Sequence, residues 1–128
     1  MIIIEDALNA LPHFDGFPSV AAASSLAQSL KGDPRFTVKL AGVSANGLPI
    51  HHVQFGKDSV KALFAAFVHC PEPIGGLTVH GMTDLLRQSH PAVVDADVEW
   101  HFVLCADPDG ALLNEAWTQQ PFSLQDYM

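Results

Sequence analysis

An apolar run climbs from Val60 to Val68, longest around Leu63 to Val68, ends in His69 and breaks at Pro71. Its length and its β-branched and aromatic content read as a buried strand whose carboxyl end presents an imidazole. After Glu72 the apolar residues return with another period. Ile74, Leu77, Gly81, Met82 and Leu85 fall at i, i+3, i+7, i+8 and i+11, one face of a helix. That helix starts at Pro73, where the missing backbone donor costs nothing, and stops near Ser89, before Pro91. His80 falls off its stripe and is expected in solvent.

Upstream, Val20, Ala23, Ala27 and Leu30 form one stripe of a small-residue helix, with Ser19 as N-cap and Gly32 as its stop. Phe36 to Val43 alternates and is rich in strand formers. Asn46-Gly47 is a hairpin signal, and Ile50 to Phe55 returns as the second strand, with Pro49 tolerated at its start. His51 and His52 therefore point to opposite faces and cannot chelate one ion together. Val98 to Cys105 is a last strand, bounded by the turn Asp107-Pro108-Asp109-Gly110. The tail from Ala111 has no clear period. Near the start, Ile2-Ile3-Ile4 favours a strand whereas Ala7 to Leu11 favours a short helix ending at Pro12, and both readings stay open. These elements predict an α/β fold: a mixed sheet containing one antiparallel hairpin and flanked by helices.

With 128 residues the chain reads as a single α/β domain, large enough for a real core. No apolar run reaches membrane-spanning length, and the first residues lack the basic region of a signal peptide. Cys70 and Cys105 do not make a disulfide framework, which points to a cytoplasmic home. A net charge of −8 argues against nucleic-acid binding. All six basic residues lie before position 88, and the acidic last third is either a solvated face or faces a basic partner.

The chemistry concentrates at His69-x-x-Glu72. A strand-end imidazole and a carboxylate three residues later can hold a metal through one nitrogen and one or two oxygens, although the spacing alone is a weak signal. A catalytic zinc needs three protein ligands, a water and a general base. Cys70 shares the turn but should point away. His101, which reads more readily as a satisfied core histidine, and Asp107 lie on a neighbouring strand that the sequence cannot place. No Ser/His/Asp arrangement, CxxC, P-loop or dinucleotide fingerprint is present.

Three segments, in order, resemble zinc carboxypeptidases of the M14 type. Gly42-Val43-Ser44-Ala45-Asn46-Gly47-Leu48-Pro49-Ile50 resembles a G-x-S-x-x-G-x-P-I hairpin. His69-Cys70-Pro71-Glu72-Pro73-Ile74-Gly75 resembles the H-x-x-E-P-I-G zinc-ligand segment of the bacterial branch. Asp107-Pro108-Asp109-Gly110 through Leu113-Asn114-Glu115-Ala116-Trp117 resembles its P-D-G…L-N-E-x-W segment. The resemblance implies the first half of the zinc-carboxypeptidase (phosphorylase/hydrolase-like) fold, His69 and Glu72 as zinc ligands, and Pro108, Asp109 and Gly110 as a loop shaping the site. It implies hydrolysis of C-terminal or side-chain amides of peptides. The family's third ligand, general-base Glu and arginines lie further along, and no residue here can be assigned to them. The chain therefore resembles an N-terminal portion, expected to bind zinc weakly and not to hydrolyse peptides alone.

Rival readings follow from the same residues. Aspartoacylase/succinylglutamate desuccinylase-like deacylases also use H-x-x-E, but the P-D-G…N-E-x-W segment favours the peptidase side. A non-enzymatic α/β module could self-associate through an open sheet edge, as a homo-oligomer. A partner chain covering that edge could instead complete a two-chain enzyme.

Overall fold

The computed structural model describes residues 2–118 and 125 of the chain. Helices α1 (Ile2–Ala10) and α2 (Val20–Lys31) come first, followed by strands β1 (Phe36–Val43), β2 (Pro49–Phe55) and β3 (Val60–Ala65). Helices α3 (Ile74–Arg87) and α4 (Pro91–Val94), strand β4 (Val98–Val103) and helix α5 (Pro108–Thr118) complete the order. The open N-terminal choice falls to helix. Ala7, Ala10 and Leu11 pack against the core, and this packing overrides the strand preference of the isoleucines.

The sheet order is β1-β2-β4-β3. β1 pairs antiparallel with β2, β2 antiparallel with β4, and β3 parallel with β4, so the sheet is mixed. The β1–β2 loop closes through Ser44 N to Leu48 O and Gly47 N to Ser44 O, and Gly47 takes φ +80, which the turn requires and glycine adopts without strain. Val53 on β2 stands opposite Phe102 on β4, both fully buried, and the core lies between that face of the sheet and the helices. The other face carries Thr37, Lys39, Lys61, Leu63 and Ala65, all exposed.

The α2 boundaries follow the sequence signals. Ser19 Oγ accepts from Ala22 N at 3.0 Å, Gly32 ends the helix, and Val20, Ala23, Ala27 and Leu30 are its buried stripe. Three expectations are corrected. The strand ending in His69 stops at Ala65, and it is not buried throughout: it is one of the two outer strands of the described sheet, with Leu63 67% exposed. In α3 the residues turned fully inward are Gly76, Val79, Gly81, Thr83, Leu85 and Leu86, whereas Ile74 is 60% exposed. Leu77, Gly81 and Leu85 turn towards α1 and α4, and a second buried stripe is hidden from a hydrophobicity count because Gly76, which lies against Pro18 and Phe67, and Thr83 belong to it. The Asp107–Gly110 turn and the start of the aperiodic tail are a helix. Asp107 caps it by accepting from Gly110 N at 2.9 Å, with Pro108 in the first position. Leu112 and Leu113 are exposed, which is why α5 shows no apolar period.

Candidate metal centre

Beyond Ala65 the ladder continues for one residue, with Ala66 N donating to Val103 O. Phe67 then turns the chain by adopting φ +54, a left-handed conformation costing a non-glycine residue about 1–2 kcal/mol. Its ring is 5% exposed and lies so close to Gly76 that a Cβ there would come within 3.0–3.1 Å of it. Burial of the ring against α3 holds the strained residue in place.

The sharp exit leads into a turn closed by Glu72 N donating to His69 O at 2.9 Å. His69 and Glu72 are its first and last residues, so their side chains start from neighbouring backbone positions. His69 Nδ1 and Glu72 Oε1 stand 3.2 Å apart, with the side chains 70% and 69% exposed. Two donors bound tetrahedrally to one zinc ion at about 2.0–2.1 Å stand about 3.3–3.4 Å apart. The separation is that of an imidazole–carboxylate ion-pair contact and is also close to that of two neighbouring vertices of a tetrahedral site, with both side chains open to solvent.

The Pro108-Asp109-Gly110 segment adjoins this turn through Gly110, which lies against Cys70. Asp109 Oδ1 accepts from Ser44 Oγ at 2.7 Å, and Oδ2 accepts from Asn46 N at 3.1 Å. Pro108 is fully buried. A Cβ on Gly110 would lie 2.8 Å from Cys70 Sγ, so Cys70 packs on the first turn of α5. Glu115 accepts from Val20 N at 2.7 Å, capping α2 from across the fold. These motif residues therefore have structural duties independent of chemistry.

Other candidates are held elsewhere. Asp107 is occupied in capping α5. His101 is a satisfied histidine, although its partners are polar: its Nε2 lies 2.7 Å from Glu99 Oε1, and its Nδ1 lies 2.9 Å from His52 Nε2. Because the Glu99 carboxylate only accepts, His101 carries a proton on Nε2, and when that ring is neutral His52 donates to its Nδ1. Lys61 Nζ reaches the same Glu99 oxygen at 2.9 Å, and Lys61 and His101 together hold that carboxyl below its usual range. His51 lies on the opposite face of β2, buried, its pKa lowered by burial and by Lys31. Contrary to expectation, His80 is half-buried. Its Nε2 is enclosed without a hydrogen-bond partner among the described residues, and burial lowers its pKa. Cys105 is also buried, its thiol pushed up to about 12 mainly by burial. Among the described residues no three His, Cys, Asp or Glu side chains converge on one point. The His52–His101–Glu99–Lys61 row escaped the sequence reading because its members come from three strands whose register only the fold supplies.

No protein-family profile and no curated protein sequence matches the chain. Solved structures do. A protein described as a carboxypeptidase A from Shewanella denitrificans OS-217 superposes with a TM-score of 0.66 at 21% identity, covering 84% of this chain and 33% of that one. A metallo-carboxypeptidase from Burkholderia cenocepacia gives 0.66 at 18% identity, over 80% and 29% of the two chains. Bovine thrombin-activatable fibrinolysis inhibitor, solved in complex with tick carboxypeptidase inhibitor, gives 0.66 at 11% identity, over 80% and 34%. The chain has part of a carboxypeptidase-like fold and spans about a third of the length of these structures. No described helix is long and apolar enough to cross a membrane.

Proposed function

We propose that this chain carries two of the zinc ligands of a metallocarboxypeptidase-like hydrolase, His69 and Glu72, and acts on C-terminal or side-chain amides of peptides once a third ligand and a general base are supplied. The observation behind this reading is the convergence of His69 Nδ1 and Glu72 Oε1 to 3.2 Å, at a sharp strand-to-helix junction of a carboxypeptidase-like fold. When bound, the ion would supply Lewis-acid activation of water and of the scissile carbonyl. His69 and Glu72 contribute donors of the right type and spacing, and their exposure leaves one side free for further ligands and a peptide. Asp107 N donates to Phe67 O where the chain enters the turn.

Zinc titration by calorimetry tests the reading. Weak binding that falls at least about tenfold in both His69→Ala and Glu72→Ala is expected, together with no turnover of C-terminal peptide substrates by the chain alone. Zinc binding unchanged by both substitutions would overturn the assignment, and turnover by the chain alone would overturn the need for further groups.

A second reading rests on β3. Its outer edge carries exposed Val60 and Leu63 and has no proline or bulge to block pairing. In this reading the chain works by association, either with a second copy or with a partner chain that completes the site.

A further inference from the structure

The metal reading leaves unexplained how two exposed side chains stay converged. Within the turn only one backbone bond, Glu72 N to His69 O, closes the ring. The support comes from outside. The connection between β4 and α5 grips the start of the loop through Ala106 N to Ala66 O at 2.8 Å and Asp107 N to Phe67 O at 3.2 Å. Cys70, between the two donors in sequence, then rests on Gly110. A Cβ on Gly110 would lie 2.8 Å from Cys70 Sγ, 2.9 Å from Cys70 Cβ and under 2.5 Å from Asp107 Oδ2. There is no room for any side chain. Gly110 is itself pinned, since its N–H donates to Asp107 Oδ1 and its neighbour Asp109 is clamped to the β1–β2 hairpin by Ser44 and Asn46. An unbroken path of contacts runs from the hairpin tip through the first turn of α5 to Cys70.

We infer that Gly110 is a positioning residue for the His69–Glu72 pair. Its bare Cα is the seat on which Cys70 rests, and the seated Cys70 sets the turn so that the imidazole and the carboxylate face one another. A side chain at position 110 lifts Cys70 off α5, rotates the turn and separates the donors. The inference rests on the metal reading for its consequence, but the seat is a property of the metal-free chain.

The test compares wild type with Gly110→Ala and with Cys70→Gly, which empties the seat from the other side without adding bulk. In both, zinc affinity measured by calorimetry should fall about 10–100-fold, the range for groups that orient metal ligands, while circular dichroism and a cooperative melt report an intact fold. In Gly110→Ala the Cys70 thiol should also react faster with an aromatic disulfide, a readout that general destabilisation would not move at temperatures far below the melt; Cys105 is buried and stays silent. Wild-type affinity in both variants overturns the inference. Should wild type bind no zinc, the metal reading fails separately, and the seat is judged on metal-free protein by NMR. Glu72→Gln should shift the His69 ring resonances in the wild-type background and not in the Gly110→Ala or Cys70→Gly backgrounds. An equal shift in all three overturns the positioning role. If Gly110→Ala does not fold, Cys70→Gly alone decides by the same measurements.

Discussion

Asp109 on the first turn of α5 accepts from Ser44 Oγ at the tip of the β1–β2 hairpin at 2.7 Å, joining residues 65 positions apart. The second carboxylate oxygen takes Asn46 N, and Ser44 Oγ in turn accepts from Leu48 N at 3.0 Å. One carboxylate thus satisfies two donors of the turn and fixes the hairpin to the helix beside the candidate metal pair. Hydrogen bonds to charged groups contribute about 1.5–3 kcal/mol. Asp109→Ala should lower stability by roughly that amount in urea unfolding and speed amide exchange at residues 44–48. Unchanged exchange there would show that the clamp is not what orders the turn.

The N-terminus of α2 has two caps of different origin. Ser19 serves Ala22 N locally, and Glu115 reaches in from α5 to serve Val20 N. Loss of an N-cap costs about 0.5–2 kcal/mol. Ser19→Ala should therefore destabilise by about 1 kcal/mol. Glu115→Ala should cost at least as much, because it also unties α5 from α2. Thermal melts of the two single variants and the double variant measure both effects.

His51, His52 and His80 all have folded pKa values below the ordinary histidine value, burial being the first cause in each; His101 and Lys39 add to the effect at His52. Between these lowered values and the unfolded value of about 6.5, the unfolded chain binds more protons than the folded one, so stability rises with pH there. Stability should be level above about pH 7 and fall as pH drops below about 6.5. Asp33, held at about 2 by Arg35, and Glu99, held down by Lys61 and His101, then add losses at more acidic pH. Urea midpoints between pH 8 and pH 5 check the sign; a midpoint that rises on acidification would refute it.

His80 supplies a sharper version of the same test. Its enclosed Nε2 carries the desolvation penalty of a buried polar atom, about 1–3 kcal/mol, with no bond to offset it among the described residues. His80→Leu should raise the urea midpoint at pH 7 and flatten the decline below pH 6.5. A destabilised variant with an unchanged pH slope would mean that the ring is valued for its shape alone.

Leu63, on the edge strand and two-thirds exposed, is the place to test association. Sedimentation velocity over a concentration series should show self-association that Leu63→Lys weakens, since a lysine on an edge opposes strand addition. A monomer at every concentration would count against the β3 reading.

Sequence alone determined the elements whose signals are local. Ser19 and Gly32 bracket α2, Asn46-Gly47 turns the hairpin, and the three-residue spacing of His69 and Glu72 makes them the first and last residues of one tight turn. Tertiary structure alone decided what depends on neighbours distant in the chain. It hid one stripe of α3 behind Gly76 and Thr83, made a helix of α5 despite its lack of an apolar period, and enclosed His80. It also aligned His52, His101, Glu99 and Lys61 in one row. Periodicity records which residues prefer water or oil, and spacing records what one turn can bring together. Neither records strand register or the exact fit of a glycine under a cysteine, because those are set by backbone atoms from elements that meet only in the folded chain.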